Sequence, residues 1–277
     1  MPQQQRVALV TGAARGLGWG IARAFGLAGA RVAVTDINEK ELARCGRDLA
    51  ADGVEFQVYP SDAADLAECT RVVKDVVARW GRLDVVVHNA IYMPLITFEA
   101  TTPDEWSRQI GVGIGGLFNY AHAAWSHMKA QGGGHIIGIA SGSSIRGYRE
   151  EIAYCTIKHG VEGFVKALSL EARAHNIALN TIGPGRRIKP TRMTWAEYDR
   201  APAELKTSWA DPVELGKAWV WLAAQPPGRF NGFRFDAGTL VQTLAREGND
   251  FEFAAEKVTL YPDDFQARQE WYRDQAE

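Results

Sequence analysis

Short apolar runs alternate with segments of helical periodicity along most of this chain. The runs before residue 141 read as strands and are mostly apolar rather than regularly alternating: 6–11, 31–36, 54–59, 83–88 and 135–140. Strands covered on both faces have this composition, which is typical of parallel sheets. The segments between them are long enough for crossover helices, predicted at about 15–29, 38–51, 63–81, 103–130 and 151–174. The pattern predicts a doubly wound α/β fold.

Two further strands are expected at 177–182 and 232–236, with a helix at 212–225 between them. The predicted sheet therefore has about seven strands. No linker rich in Ser or Pro interrupts the chain, so residues 1–240 are predicted to form a single domain. Segment 186–210, which mixes aromatic residues with charges, lies outside the alternation of strands and helices.

Residues 241–277 form a polar C-terminal extension that carries many aromatic side chains. These are Phe251, Phe253, Tyr261, Phe265, Trp271 and Tyr272. Because aromatic side chains stabilise proteins mainly by burial, so many are not expected in a solvated terminus. The extension is predicted to pack on the core or on a neighbouring subunit, with a helix after Pro262.

Charge and cysteine content exclude several classes of function. Lys and Arg number 31 against 33 Asp and Glu, a formal net charge of −2, which favours neither nucleic acid nor an anionic membrane as a partner. No apolar stretch approaches the length of a membrane span or a signal peptide. The three cysteines have no CxxC spacing and are expected to be reduced, which favours a cytoplasmic location. No residues have the spacing of a metal site, so no metal is predicted.

The first predicted strand runs directly into TGAARGLG, which contains Gly12, Gly16 and Gly18. Glycines allow a tight turn and let the backbone approach a pyrophosphate at the N-terminus of the following helix. Such a string alone is weak evidence. Here it joins a strand to a helix, and Asp36 follows 24 residues after Gly12, at the end of the second strand. This context predicts a dinucleotide-binding site.

Asp36 indicates which dinucleotide is bound. Its carboxylate can accept hydrogen bonds from the adenosine ribose hydroxyls, as in NAD sites. The 2′-phosphate of NADP would be repelled by the same carboxylate, at a cost on the order of several kcal/mol. Arg15 argues in the opposite direction because it can pair with a phosphate, but we expect it to be solvated. NAD is therefore the predicted cofactor, and NADPH is the alternative.

A second group of polar residues lies later in the chain. Tyr154 and Lys158, four residues apart, project from one face of a predicted helix, and Ser141 ends the fifth predicted strand. A free tyrosine has a pKa near 10, too high for a base at neutral pH. A nearby ammonium favours the tyrosinate, so Lys158 is expected to lower the pKa of Tyr154. Ser141 can then hold a substrate oxygen while Tyr154 donates or accepts its proton.

In these features the chain resembles the short-chain dehydrogenase/reductase family over roughly residues 5 to 240. Shorter matches are Asp62, His88-Asn89-Ala90 and Pro184-Gly185. The resemblance implies a Rossmann-type domain and an oxidoreductase that moves a hydride between NAD and the carbonyl or alcohol carbon of a small organic substrate. It also implies a homodimer or homotetramer formed through the two long helices at 103–130 and 151–174.

The resemblance also implies a role for each matching residue. Ser141, Tyr154 and Lys158 are the expected catalytic residues, with Lys158 also binding the nicotinamide ribose. Asp62 and Ala63 would face the adenine, Asn89 and Ala90 the ribose, and Pro184 and Gly185 the nicotinamide. The expected cofactor-binding set comprises Gly12, Arg15, Gly16, Leu17, Gly18, Asp36, Ile37, Asp62, Ala63, Asn89, Ala90, Tyr154, Lys158, Pro184 and Gly185.

The chain departs from the family pattern at two positions. Ile91 replaces the glycine of the family's NNAG motif, and Gly113 stands where the family has an asparagine that is thought to hold a proton-relaying water. Gly113 is expected to leave room for extra water, with a kink or a close helix contact in the glycine-rich segment around it. His88 is a candidate substitute proton carrier, although a hydrogen-bonded core histidine is the expected interpretation. A catalytically impaired dinucleotide-binding protein is the alternative that these departures favour.

The segment after Pro184-Gly185 corresponds to the family's flexible substrate loop, at about 186–210. Its basic residues would suit an acidic substrate or would simply be exposed: Arg186, Arg187, Lys189 and Arg192. Its aromatic residues, with two from other loops, would wall a substrate pocket or pack as lids: Trp195, Tyr198, Trp209, Tyr92 and Tyr148. The sequence does not identify the substrate.

Overall fold

A computed structural model describes residues 5–249 and 251 of the chain. The described residues form one sheet of seven parallel strands in the order β3-β2-β1-β4-β5-β6-β7. The strands are β1 (Val7–Thr11), β2 (Arg31–Asp36), β3 (Phe56–Pro60), β4 (Val85–His88), β5 (Gly134–Ile139), β6 (Ile177–Gly183) and β7 (Arg234–Asp236). The predicted doubly wound α/β fold is confirmed.

Helices connect the strands and cover both faces of the sheet. They are α1 (Gly16–Leu27), α2 (Glu39–Ala51), α3 (Leu66–Trp80), α4 (Pro103–Ile110), α5 (Gly116–Ala130), α6 (Ile152–Ala172), α7 (Trp195–Arg200), α8 (Ala203–Thr207), α9 (Pro212–Ala224) and α10 (Ala237–Glu247). Side chains that accept hydrogen bonds from the first turn start several of them, as Asp65 does for α3. Within residues 5–249 and 251, no helix has the length and apolarity needed to cross a membrane.

The inner strands are largely apolar because they contribute to two cores. Ala8 and Val10 of β1 face a cluster formed with α1, α2 and α9, whereas Val7 and Leu9 face a second cluster formed with α3, α5 and α6. Successive side chains of a strand point to opposite faces, so a strand buried on both sides needs apolar residues at every position.

The order of the strands places a crevice at one edge of the sheet. The chain leaves β1 outward to β2 and β3, then returns to add β4 on the opposite side of β1. Connections that diverge in this way leave a gap above the carboxyl ends of β1 and β4, where α/β proteins bind their ligands. Gly12, Asn89 and Ser141 all follow strands that end at this edge.

The structure differs from the predicted elements in three places. The helix expected over 103–130 consists of α4 and α5 joined by a π-helical turn at Gly111–Gly115, and the close helix contact predicted as the alternative to a kink is present between Gly113 and Ile157. Segment 186–210 contains α7 and α8 rather than only loop, and α10 extends the ordered fold to Glu247.

In the C-terminal extension, Phe251 is buried and its ring stacks on that of Trp221, with 5.1 Å between the ring centres. The helix expected after Pro262 and the other aromatic residues of the extension lie outside the described residues.

Candidate active site

Backbone conformation at two glycines shapes the loop between β1 and α1. Gly12 and Gly16 have φ values of +60° and +59°, which side-chain-bearing residues rarely adopt. A Cβ at Gly12 would lie 2.6 Å from the Cα of Ala90, so the loop also touches the residues that follow β4. A Cβ at Gly16 would meet only the side chain of Lys189, at 3.8 Å. The N-terminus of α1 therefore faces the crevice through a loop that only glycine can form.

Asp36 lies beside this loop, and its carboxylate accepts hydrogen bonds from the backbone N–H groups of Ala14 and Asn38, at 3.1 and 2.9 Å. Burial raises the pKa of Asp36, and the two N–H groups oppose that effect. The expectation that Arg15 is solvated is wrong, because its guanidinium pairs with Glu41 at 2.7 Å. The other oxygen of Glu41 accepts a hydrogen bond from the backbone N–H of Trp195 at 3.1 Å.

The Thr11 hydroxyl joins the ends of β1 and β4. Its oxygen accepts hydrogen bonds from the backbone N–H groups of Asn89 and Ala90, both at 3.0 Å. The Asn89 side-chain amide donates in return to the carbonyl oxygens of Thr11 and Gly12, at 3.1 and 2.8 Å. This reciprocal bonding fixes the glycine loop relative to Asn89 and Ala90.

His88 is a buried core residue and not a substitute proton carrier. Its Nε2 lies 2.8 Å from the carbonyl oxygen of Gly113, so Nε2 carries the proton. Its Nδ1 lies 3.1 Å from the Thr11 Oγ1 and accepts the hydroxyl proton. Burial lowers the pKa of His88 to about 4, which leaves the ring neutral at ordinary pH.

Ser141, Tyr154 and Lys158 meet at the other end of the crevice. Ser141 follows β5 and caps the short helical turn after it, while Tyr154 and Lys158 lie one turn apart on α6. The Tyr154 hydroxyl is hydrogen-bonded to the side chain of Ser141. The Lys158 ammonium lies 5.4 Å from the centre of the Tyr154 ring and donates a 2.8 Å hydrogen bond to the carbonyl oxygen of Ile139. The predicted proximity of these three side chains is observed.

The expected lowering of the Tyr154 pKa by Lys158 is wrong for this structure. Burial raises the pKa of Tyr154, and the negative charge of Glu151 adds to that effect, while the hydrogen bond to Ser141 opposes it. Burial lowers the pKa of Lys158 to about 8, against the attraction of Glu162. The Lys158 ammonium donates to a backbone carbonyl rather than to the phenol oxygen, and burial is the largest cause of the raised pKa of Tyr154.

A buried charge network that the sequence analysis missed lies behind Ser141 and Lys158. Glu162 accepts a hydrogen bond from Thr181 at 3.0 Å and lies 3.5 Å from a guanidinium nitrogen of Arg234. Arg234 also donates to the backbone carbonyl of Ser141 at 2.9 Å. Glu162 was recognisable in principle, since it lies four residues beyond Lys158 on the same helix face. Arg234, on a distant strand, had no local signal.

The crevice is a cleft of about 540 Å³. It is lined by most of the expected site residues: Gly12, Arg15, Gly16, Leu17, Asp36, Ile37, Asp62, Ala63, Asn89, Ala90, Ser141, Tyr154, Lys158 and Pro184. Gly18 and Gly185 are not in the lining. A Cβ at Gly18 would lie 2.3 Å from the carbonyl oxygen of Gly12, so its role is close packing beneath the loop. Gly185, with φ +62°, abuts the carboxylate of Asp236.

Segment 186–210 approaches the glycine loop more than the catalytic end. Trp195 donates through its indole to the carbonyl of Ala14 at 2.9 Å and packs edge-on against Trp19 at 5.1 Å. Tyr198 packs on Trp195, and Trp209 on Tyr198. Of the two roles predicted for these three aromatic residues, the structure shows packing, and none of them lines the cleft. Tyr92 does line the cleft, whereas Tyr148 is exposed outside the lining.

The basic residues of segment 186–210 separate into two pairs. Lys189 and Arg192 line the cleft, whereas Arg186 and Arg187 are exposed outside its lining. The Lys189 ammonium is buried and donates to the carbonyl oxygen of Met193. Burial lowers the pKa of Lys189 to about 8. These residues do not form a single cationic patch at the catalytic end.

Gly113 does not leave room for extra water, contrary to expectation. A Cβ at this position would lie 2.5 Å from Cγ2 of Ile157 and 3.0 Å from Cδ1 of Ile91. The space that a side chain would need is filled by these two isoleucines, one of which is the other departure from the family pattern. The carbonyl oxygen of Gly113 is already bonded to His88.

Comparison with known proteins identifies relatives along most of the chain. The family model for short chain dehydrogenases matches residues 6–201. D-threitol dehydrogenase from Mycolicibacterium smegmatis is 31% identical over 82% of this chain and 89% of its own length. Acetoacetyl-CoA reductase from Shinella zoogloeoides is 36% identical over 84% of this chain and 96% of its own.

Solved structures agree with the fold. A metagenomic short-chain oxidoreductase in complex with NADP superposes with a TM-score of 0.69 at 27% identity, covering 82% of this chain and 93% of its own. A short chain dehydrogenase from Mycobacterium paratuberculosis bound to NAD reaches a TM-score of 0.74, over 86% of this chain and 99% of its own. Its 24% identity makes it a likeness in fold alone.

Gly113→Ala tests whether this position is closed. The added methyl group overlaps Ile157, so we expect a loss of about 1–3 kcal/mol in the free energy of unfolding, measured by urea denaturation. In an Ile157→Ala background the same substitution should be neutral or stabilising, because alanine favours a helix over glycine by up to about 1 kcal/mol. A single variant as stable as the wild type would contradict the described packing.

Proposed function

Because this chain belongs to the short-chain dehydrogenase family and is therefore an oxidoreductase, we propose that it is an NAD-dependent enzyme acting on alcohol or carbonyl groups, with Tyr154 as general acid and base. One observation carries the proposal. Ser141, Tyr154 and Lys158 line one end of a single cleft whose other end is lined by the glycine loop and Asp36. A proton-transferring group and a dinucleotide-binding loop are thus within reach of one bound substrate.

The residues of the cleft suit a dinucleotide. The open surface above Gly16, at the N-terminus of α1, accepts a pyrophosphate without steric hindrance from the backbone. Asp36 would hold the adenosine ribose, Asp62 and Ala63 the adenine, and Asn89 and Ala90 the second ribose together with Lys158. NAD bound in the cleft would supply or accept the hydride at its nicotinamide ring.

In the proposed reaction, Ser141 donates a hydrogen bond to the substrate oxygen and Tyr154 transfers the proton at that oxygen. Burial raises the pKa of Tyr154, so its hydroxyl is protonated at neutral pH, the state needed to reduce a carbonyl. For oxidation of an alcohol, Tyr154 must instead accept the proton as the tyrosinate, the form that burial disfavours. Arg234, which is paired with Glu162, donates a hydrogen bond to the backbone carbonyl of Ser141 and helps to hold this residue in place.

Charges beside the adenosine ribose support NAD over NADPH, the second candidate. Asp36 presents a carboxylate to the cleft, and the nearby Arg15 is neutralised by Glu41. A 2′-phosphate would have to break this ion pair, and with it the contact between Glu41 and the backbone of Trp195. NADPH binding would therefore carry a cost that NADH binding does not.

An impaired enzyme is less well supported than an active one. The substitutions that favoured it, Gly113 and Ile91, compensate each other sterically, because the isoleucine occupies part of the space beside the glycine. Ser141, Tyr154 and Lys158 retain the contacts that proton transfer needs. We therefore retain turnover as part of the proposal.

We also propose that the protein forms a homo-oligomer and lies in the cytoplasm. A homodimer or homotetramer formed through α5 and α6 is supported by the exposed apolar side chains of Phe118 and Leu170 on these helices. A cytoplasmic location is supported by three free cysteines. The proposed partners are small alcohols or carbonyl compounds, with neither nucleic acid nor a membrane surface.

Tyr154→Phe tests the proposed chemistry. Phenylalanine keeps the ring but removes the transferable proton, so the rate of NAD-dependent turnover should fall by at least about 10²-fold, the scale of general acid–base catalysis. Substrates would first be found by screening alcohols, sugars and hydroxy acids. The affinity for NADH, measured by its fluorescence, should stay nearly unchanged in this variant and fall in Lys158→Ala. Full activity in Tyr154→Phe would rule out the proposed role.

The cofactor preference can be measured directly. Wild-type protein should bind NADH at least roughly 10-fold more tightly than NADPH, because of the repulsion at Asp36. Asp36→Asn keeps the shape but removes the charge, so it should narrow this ratio. Glu39→Gln removes an exposed charge at the start of α2, three residues after Asp36, and should leave the ratio unchanged. Tighter binding of NADPH by the wild type would contradict the cofactor assignment.

A further inference from the structure

One carboxylate near Tyr154, that of Glu151, has no role toward the substrate in the reaction proposed above. Glu151 precedes the first residue of α6, and its side chain lines the cleft together with Ser141, Ser143 and Tyr154. It is partly buried, unlike its exposed neighbour Glu150. Glu151 lies on the side of Tyr154 where the substrate would bind, at the opposite end of the cleft from Asp36.

The Glu151 carboxylate has one hydrogen bond and no ion pair among the described residues. One carboxylate oxygen accepts a 2.9 Å hydrogen bond from the Ser143 hydroxyl, and the Ser143 backbone N–H donates to Ser141 Oγ at 3.2 Å. Within residues 5–249 and 251, the Glu151 side chain has no other hydrogen bond and no ion pair. The N-terminus of α6 favours a negative charge at this position. The second oxygen is therefore a free acceptor within the cleft.

Cations that line the cleft are engaged elsewhere or solvated. Arg15 is paired with Glu41, Lys189 with a backbone carbonyl, and Arg108 lies over the ring of Tyr92 at 4.2 Å. Arg192 is exposed, so water screens its charge. Lys158 lies beneath Tyr154, bonded to the carbonyl oxygen of Ile139. None of these contacts neutralises Glu151.

From this arrangement we infer that Glu151 selects the substrate, accepting a hydrogen bond from a hydroxyl near the reacting carbon and excluding substrates that carry a carboxylate there. The inference rests on the proposed dehydrogenase function and adds the substrate class, which is neutral polyols and hydroxyketones. A hydroxyl donates to the free oxygen of Glu151, whereas a second carboxylate meets a like charge and has no proton to donate.

Two substrates that differ only at this point test the inference. Butane-1,3-diol and 3-hydroxybutyrate share a four-carbon chain and a secondary alcohol, and differ by a CH2OH group in place of a carboxylate. Full-length protein with NAD should favour the diol in kcat/KM by at least about 10-fold, the scale of one close charge pair near a protein surface. Glu151→Gln should reduce that ratio by about the same factor, mainly by raising turnover of the acid.

Glu150→Gln is the matched control, since it removes one negative charge next in sequence but outside the cleft lining. Its substrate ratio should equal that of the wild type, and thermal unfolding of both variants shows whether the fold is intact. A wild-type preference for 3-hydroxybutyrate, or an unchanged ratio in Glu151→Gln, would overturn the inference while leaving the proposed dehydrogenase function standing.

A binding measurement separates this inference from the proposed function. The fluorescence of bound NADH reports the binding of 4-hydroxybutan-2-one and acetoacetate, the corresponding ketones. Selective binding of the neutral ketone without any turnover would support the role of Glu151 and contradict the proposed catalysis. Selective binding of acetoacetate, or binding of neither ketone, would overturn the role of Glu151.

Discussion

The Thr11 hydroxyl occupies the point on which the geometry of the cleft depends. Its oxygen receives the backbone N–H groups of Asn89 and Ala90, and its proton goes to His88. The one donor and two acceptor positions of this hydroxyl are thus all used between β1 and β4. These are the two strands at which the order of strand addition reverses. A sheet of this kind opens a crevice at that point, and these bonds join the two strand ends that border it.

The Thr11 hydroxyl is also connected to helix α6, through His88 and Gly113. Because it donates to Nδ1 of His88, the ring presents a proton on Nε2 to the carbonyl oxygen of Gly113. That carbonyl belongs to the π-helical turn between α4 and α5, and Gly113 is in close contact with Ile157 of α6. A chain of contacts therefore runs from the glycine loop to the helix that carries Tyr154 and Lys158. Fully satisfied buried polar networks of this kind hold one arrangement in place.

The buried charge of Lys158 also depends on its polar and charged neighbours. Lys158 is almost completely buried, and without partners its ammonium would be strongly destabilising. It has the carbonyl oxygen of Ile139 and the attraction of Glu162, which is in turn balanced by Arg234. Arg234 also donates a hydrogen bond to the backbone of Ser141, so one network stabilises a charge and positions the hydroxyl proposed to hold the substrate.

Sequence patterns predicted the parts of this molecule that depend on local rules. Strand composition predicted the parallel sheet, and the spacing of Gly12, Asp36 and the Tyr154–Lys158 pair predicted which residues share the cleft. Pairings between distant segments were not predictable. Glu41 binds both Arg15 and the backbone of Trp195, residues that are 26 and 154 positions away in the chain. Ile157 closes the space beside Gly113 only because α6 packs against the π-helical turn, a contact without a sequence signal.

Substitution of Thr11 by valine and by serine tests the central role of its hydroxyl most directly. Valine keeps the shape but leaves buried donors unpaired, so the free energy of unfolding should fall by at least about 3 kcal/mol. Serine keeps the hydroxyl and removes one methyl group, so the loss should be about 1 kcal/mol. NADH affinity, measured on the same samples, should weaken in Thr11→Val and be largely retained in Thr11→Ser. Equal stability and equal NADH affinity of the two variants would contradict the account.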